Sequence, residues 1–353
     1  GCTIRTVDGE EYLDLLAGRS AEIGGLFLHA LPGPEVIATI LDKRKLARAA
    51  ERAGVPCPRT VEESALAGPR LPAVPLDFPV IVKPAASHLG RRAGLFSKRK
   101  AWLVADPAGL EAALQAGRAA GLDLLVQEHV PGPDSDIYLF YGHYPVDGGP
   151  PSVFTKRKLR QYPVHFGYGC ANESVLEPEV VRLGRRLMES LPYRGLGGVE
   201  FKRDSRDGAF KLIEVHGRTP MTGELAVASG LDFPWMAYCD LIGKPIDRPD
   251  GFTEGVKWFR VRHDLAALRQ YRREGSLSFR SWLSSYRGPK VFSTVSRRDP
   301  LPLLKRLAWQ SLGPLKQTLR GRLFDSAAAL RRLPRASFSV GPRRTPPDRP
   351  AAL

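Results

Sequence analysis

The sequence predicts an α+β fold, and three observations predict it. Short apolar runs, Phe78-Pro79-Val80-Ile81-Val82-Lys83 and Leu124 to His129, have the length and flanking residues of buried strands. Residues 107–120, between them, are Ala-rich and helix-favouring. Farther on, Gly198–Lys202 and Phe210–Val215 flank Asp207-Gly208, a strong hairpin-turn signal. Strands and helices mixed at this density are the pattern of an α+β chain, and no internal repeat interrupts it.

The elements follow in order. Residues 10–30 predict a short helix and a turn, and Leu31-Pro32-Gly33-Pro34 breaks the chain. Residues 35–53 predict one helix, with Val36, Ile37, Ile40 and Leu41 at helical spacing and Gly54 as its stop. The strand at 78–83 enters a Gly-, Arg- and Ser-bearing loop at 84–99, and residues 101–105 return as a strand. The strand at 124–129 ends at Pro131-Gly132-Pro133. Ile137–Tyr141 and Ser152–Thr155 predict paired strands around a Gly/Pro turn. Residues 177–191 predict an amphipathic helix, and residues 222–243 a helix interrupted at glycine. Beyond residue 260, Leu265, Leu268 and Tyr271 sit at helical spacing, as do Leu303, Leu304, Leu307 and Ala308, with Arg and Lys around them. Residues 333–353 are rich in Pro and Arg and predict disorder.

Composition narrows the classes. A length of 353 residues suffices for two packed units and a tail, and 43% hydrophobic residues exclude wholesale disorder. No apolar run approaches the roughly 18 residues of a membrane span, and the first residues carry no secretory signal. The chain opens on Gly1, so the native start is expected upstream. Cys2, Cys57, Cys170 and Cys239 are scattered without metal-ligand spacing, as expected of reduced thiols in a cytoplasmic protein. The net charge of +16 is unevenly spread: residues 251–353 hold 22 Lys/Arg and 6 Asp/Glu, while residues 1–250 hold 31 of each. A basic-protein argument for nucleic acid therefore does not apply to the front, and no specific nucleic acid is expected.

Chemistry is concentrated in three places. In the hairpin, antiparallel pairing brings Glu200 near Glu214, and Glu214 and His216, two apart, share a face. Two carboxylates and a third ligand on one face suit a divalent cation, and Arg218 continues the line toward an anionic intermediate; a solvated face is the alternative. Lys83 ends an apolar strand before a loop with Gly90 and Gly94, a place to grip phosphate or simply a surface strand end. Gln127-Glu128-His129-Val130 leads into a Pro-Gly turn whose backbone can read a base edge, with Asp134 shortly after.

The order of these pieces resembles the ATP-grasp superfamily. Asp42-Lys43, the following helix and Ala53-Gly54-Val55-Pro56-Cys57-Pro58 resemble its opening segment; Pro79 to Pro84, its lysine strand; Val126 to Gly132, its adenine hinge. Glu200 and Glu214-Val215-His216-Gly217-Arg218 resemble its metal hairpin, and the match spans about residues 35–245. The resemblance implies two α+β subdomains gripping ATP between antiparallel sheets. Residues 1–34 would be the remnant of a preceding domain, and 35–250 the ATP-grasp domain. That domain divides into an opening helix and linker at 35–75, a nucleotide clamp at 76–130 and a metal-binding half at 131–250. A basic helical extension at 251–332 and a disordered tail at 333–353 would follow. It also implies roles. Lys43 and Lys83 contact phosphates, the segment Gln127, Glu128, His129 and Val130 binds adenine, and Asp134 binds ribose. Glu200, Glu214 and His216 hold Mg²⁺ or Mn²⁺, Arg218 steadies an acyl phosphate, and Lys158 and Arg160 of the run 156–163 approach the γ-phosphate. For that run, a solvated charge cluster is the alternative.

The family usually places Asn where this chain has His216. Imidazole suits softer ions, so Mn²⁺ is expected to support turnover at least as well as Mg²⁺. The runs Lys158 to Pro163 and Glu224 to Pro234 are most similar to bacterial carboxylate–amine ligases, D-aspartate ligase among them in style. Biotin-dependent carboxylases share the grasp, but nothing in the sequence points to a biotin partner. The implied partners are a small-molecule carboxylate and an amine, with ATP as cosubstrate. Residues 260–332, with Trp309 and Phe324 among basic residues, are a candidate surface for an anionic membrane at the inner face, or for nucleic acid without sequence specificity, or a helix packed on the core. A homodimer, and a degenerate protein that only binds ATP, complete the expectations.

Overall fold

Proline or aspartate sets the start of half the α-helices among the described residues. The computed structural model describes residues 2–4, 10–66, 76–86, 89–90, 93–96 and 100–293, with positions 301 and 305. Strand β1 (Cys2–Ile4) pairs in parallel with β2 (Phe27–His29), and α1 (Glu10–Gly18) and α2 (Ser20–Leu26) connect them. Helix α3 (Pro34–Leu41) begins on a proline, whose fixed φ and missing N–H fit a first helical position. The helix predicted over 35–53 is broken at Asp42. Its backbone is extended, and its carboxylate accepts from the N–H groups of Arg44 (2.8 Å) and Lys45 (3.4 Å), starting α4 (Lys43–Arg52).

A four-stranded sheet follows, in the order β3 (Thr60–Glu62), β6 (Leu124–Glu128), β4 (Val80–Pro84), β5 (Trp102–Val104). Its strands alternate faces. Val80, Val82, Leu124 and Val126 pack with Leu110 and Leu114 of α5 (Pro107–Ala119) in one apolar core. Ile81, Lys83 and Gln127 face the other way, into a cavity.

The second sheet has seven strands: β11 (Phe210–His216), β10 (Gly195–Arg203), β7 (Ile137–Tyr144), β8 (Ser152–Tyr162), β9 (Tyr168–Ser174), β12 (Lys257–Phe259) and β13 (Lys290–Phe292). On one face Tyr138, Phe140, Val199, Phe201 and Val215 pack against α6 (Pro178–Ser190) and α4. On the other, Ile137, Leu139, Tyr141 and Trp258 pack with α7 (Gly223–Ala228) and α8 (Phe233–Leu241). The predicted helix over 222–243 is thus two helices, parted at Ser229-Gly230, where Gly230 takes φ +102°.

Two differences from the sequence reading bear on the site. The strand predicted at 152–155 runs on to Tyr162, so the basic run 156–162 is strand, not solvated surface; Lys156, Lys158 and Arg160 are all at most 5% exposed. The large sheet also continues past residue 250, the predicted end of the ATP-grasp domain. β12 pairs with β9, and α9 (Val261–Arg273) buries Asp264, Ala267, Leu268 and Tyr271 against β8 and β9 before α10 (Phe279–Ser284). The unit spans residues 1–293. The basic helix expected at 300–332 and the disordered tail expected at 333–353 lie outside the described residues, Leu301 and Lys305 excepted, as does part of the loop at 84–99. Among the described residues no helix is long and apolar enough to cross a membrane.

Candidate active site

A cavity of about 390 Å³ lies between the two sheets. A second, of about 320 Å³, adjoins it and shares the wall made by Lys100, Gly167, Glu200 and Glu214. Each sheet contributes its inward-alternating residues.

From the small sheet comes Lys83. Its Nζ donates to Gln127 Oε1 (2.6 Å), and Gln127 Nε2 donates in turn to Thr60 Oγ1 (2.8 Å). Burial, with the nearby Lys43 ammonium, pushes the Lys83 amine down to about 7; Glu214 opposes the shift. Lys43, the first residue of α4, joins it on the cavity wall, its backbone N–H donating to Ala85 O (3.1 Å).

From the large sheet come the carboxylates. Glu200 and Glu214 are direct cross-strand partners, and a bulge after Glu200 inserts Ile213, so Ile213 and Glu214 both face the first cavity. Burial alone would raise both pKa values. Lys158, His216 and Lys100 outweigh it for Glu200, whose pKa falls to about 2. Lys100, His216, Lys43 and Lys83 hold Glu214 well below the carboxylate range. Lys158 Nζ donates to Glu200 Oε1 (2.9 Å), Lys100 Nζ lies 3.6 Å from Glu214 Oε2, and His216 Nε2 lies 3.7 Å from Glu200 Oε2. Among the described residues no three His, Cys, Asp or Glu side chains are already gathered for a metal, and lysines face the two carboxylates. The donor set nonetheless fits a hard divalent cation: two carboxylates side by side, their pKa values lowered by the cations around them, with an imidazole at the edge.

The structure brings Lys43, Lys83, Gln127, Asp134, Glu200 and Glu214 to the first cavity, and Lys158, His216 and Arg218 to the second. It withholds Arg160. A bulge between Lys158 and Arg160 breaks the alternation and re-aims Arg160 at Asp264, to which Nε (2.6 Å) and Nη2 (3.0 Å) donate. Glu128 lines the first cavity with its segment, but its carboxylate is taken by Arg59 N–H (3.1 Å), Arg206 (2.5 Å) and Lys211 (3.2 Å). It ties the hinge to the hairpin loop. The segment with His129 and Val130 faces the same cavity, and burial lowers the His129 pKa, with Lys202 and Arg206 adding to the effect. Asp134 accepts from Tyr271 Oη of α9 and from His165 N–H (3.0 Å).

Sequence reasoning missed Lys156, Lys100, His165, Tyr271 and Arg260. Lys156 was legible: it is two residues from Lys158 and shares its strand face. His165, at φ +73°, is the one non-glycine residue with positive φ among the described residues, and it lines the first cavity.

Known proteins place this geometry in a family. No protein-family model matches the chain. It is 30% identical over 240 residues to D-alanine–D-alanine ligase of Stutzerimonas stutzeri (strain A1501), covering 62% of this chain and 72% of that protein. It is 23% identical over 233 residues to D-aspartate ligase of Enterococcus faecium (strain Aus0004), covering 64% and 55%. The chain thus spans little more than half of the latter. Among solved structures, an L-amino acid ligase from Bacillus licheniformis superposes with a TM-score of 0.50 at 17% identity over 68% of this chain and 55% of that one. The ADP complex of N5-carboxyaminoimidazole ribonucleotide synthetase gives 0.51 at 13% identity, over 66% and 59%. These two likenesses concern the fold alone. The sequence match and the two-sheet grip agree: the chain belongs to the ATP-grasp ligases, the family of D-alanine–D-alanine ligase.

Proposed function

We propose that the protein is an ADP-forming carboxylate–amine ligase that acts on an amino acid or a peptide-like envelope precursor in the cytoplasm. The observation that carries this reading is the facing of Lys43 and Lys83 against Glu200 and Glu214 across one cavity, with a second, cation-lined cavity behind the same wall. In this reading ATP occupies the first cavity. Lys43 and Lys83 bind its phosphates, and Gln127 aims Lys83. The backbone of 128–130 borders the base, and Asp134, oriented by Tyr271, meets the ribose. Glu200 and Glu214 would hold Mg²⁺ or Mn²⁺, with His216 beside them, and the bound ion supplies charge neutralisation at the phosphates.

The substrate carboxylate attacks the γ-phosphorus, a new P–O bond forms, and the bond to the ADP oxygen breaks. Lys158 and Arg218, at the second cavity, hold the acyl phosphate oxygens. The amine then attacks the acyl carbon. The C–N bond forms, the C–O bond to phosphate breaks, and the amine loses a proton. Incubation with a panel of carboxylates and amines, read as ADP release with Mg²⁺ or Mn²⁺, tests this. Release dependent on both substrates is the expected result. Nucleotide binding without release from any pair would reduce the protein to an ATP binder, and full activity with Mg²⁺ over Mn²⁺ would remove the softer-ion role of His216.

Attachment of residues 260–332 to an anionic membrane is supported by the charge of +16 on residues 251–353. Against it stands α9, which turns Ala267, Leu268 and Tyr271 inward. Sedimentation with anionic and neutral liposomes at two salt concentrations separates the two. A homodimer has no supporting observation among the described residues.

A further inference from the structure

Lys156 is a buried amine held by neutral groups. It is 3% exposed, and its Nζ donates to Thr222 Oγ1 and to Asn172 Oδ1 (3.3 Å). On the same strand Lys158 meets Glu200 and Arg160 meets Asp264, whereas among the described residues no carboxylate stands within ion-pair distance of Lys156. The second cavity, which Lys156 lines, is rich in cations: Lys100, Lys158, Arg218 and Arg260 against Glu200 and Glu214. Tyr141, Tyr168 and His216 complete its ionisable wall. Burial, with the Lys158 ammonium, pushes the Lys156 amine down to about 7, and Glu200 opposes the shift.

The surroundings accept either protonation state. The Thr222 hydroxyl takes a hydrogen bond from an ammonium and can donate one to a neutral amine. The Tyr141 ring, 5.5 Å from Nζ, favours the charged form once a proton has arrived. Lys156 and Lys158, two apart on β8, share a face, and both line the cavity with Arg218. The acyl phosphate assigned to Lys158 and Arg218 therefore has its own cations, and Lys156 is the further amine on the same wall.

We propose that Lys156 is the base that frees the attacking amine, an assignment that rests on the ligase reading. An acceptor that enters as an ammonium has one proton to lose before it attacks and another as the amide forms. Lys156 Nζ accepts the first, which leaves the substrate nitrogen its lone pair. The C–N bond forms, the C–O bond breaks with its electron pair going to phosphate, and the leaving phosphate oxygen carries away the second proton. Lys156 returns its proton to solvent as the products depart.

Hydroxylamine tests this, because it is uncharged near neutral pH and attacks acyl phosphates without losing a first proton. The full chain with Mg²⁺ and ATP is given D- and L-alanine, D- and L-aspartate and glycine, with and without hydroxylamine. Amide is read by mass spectrometry and hydroxamate by its ferric colour. Lys156→Met loses amide formation by roughly 100- to 10,000-fold, the range for a positioned acid or base, while hydroxamate formation stays close to wild type. Lys156→Arg, which keeps the charge without releasing it, loses the amide equally. Circular dichroism reports the fold of each variant, and Lys156→Gln replaces one that does not fold. Amide formation that survives in either variant overturns the proposal. Equal loss of both products in Lys156→Met, restored by Lys156→Arg, overturns it too and makes Lys156 a holder of phosphate. A wild type that forms neither product from the panel overturns the ligase reading itself.

Discussion

The two sheets carry charge in opposite ways. The four-stranded sheet buries one ammonium, Lys83, whose hydrogen-bond partner is the neutral Gln127. The seven-stranded sheet buries several charges, and neighbouring strands and helices match most of them: Lys158 with Glu200, Arg160 with Asp264. An unmatched buried ammonium loses its proton readily, and Lys83 falls to about 7; a matched carboxylate keeps its charge, and Glu200 falls to about 2. The small sheet therefore leaves its buried ammonium without an anion, whereas the large sheet, Lys156 apart, is electrostatically matched beforehand.

Breaking a matched pair should hurt folding most. Arg160→Ala leaves Asp264 buried, and about 3–5 kcal/mol of stability is expected to go, measured by urea denaturation. Lys158→Ala, whose partner Glu200 borders both cavities, is expected to cost less stability and more turnover. Equal losses of stability would erase the distinction between the two lysine- and arginine-bearing positions. Glu214→Ala should remain folded by circular dichroism while ADP release falls on the order of 100-fold or more; wild-type rates would remove the carboxylate pair from the chemistry.

Lys83→Met sharpens the contrast from the other side. Turnover should fall by about 100-fold, while the ligand-free melting temperature rises by about 2–4 °C as an uncompensated ammonium is removed. The pH dependence has a definite sign. At Lys83 the folded protein binds fewer protons than the unfolded chain between about 7 and the ordinary lysine value, so this residue's contribution to stability rises with pH across that window. Lys156, also pushed by burial and by Lys158 to about 7, adds the same slope, and Lys83→Met should lose only its own share. A melting temperature that drops at every pH would show that Lys83 is matched after all. The smallest effect is expected from Tyr271→Phe. Losing the hydroxyl that donates to Asp134 should raise the KM for ATP by about 5-fold, with a smaller change in kcat.

Much of this was readable before the fold was known. The strands at 80–84 and 124–128 and the Asp207-Gly208 hairpin follow from apolar runs and turn chemistry, which are local. The break at Asp42 was legible as a cap but was overridden by the apolar spacing around it. The run 156–162 resisted reading for a different reason. Four cations in seven residues resemble a solvated face unless their partners are known, and those partners lie 42 residues away for Lys158 and 104 for Arg160. A bulge then reversed the parity that would have put Lys158 and Arg160 on one face. Composition changes near residue 250 and so predicts a separate basic extension holding Asp264 and Tyr271, while hydrogen bonding runs on across that point.

Asp264 accepts from Arg160, Trp282 (2.7 Å) and Tyr286 (2.7 Å), and β12 covers the flank of β9. A gene trimmed just after the β10–β11 hairpin would strand a guanidinium in the interior and bare a row of backbone donors and acceptors. Such a product belongs in inclusion bodies, and any workable shortening of this protein has to begin beyond Phe292.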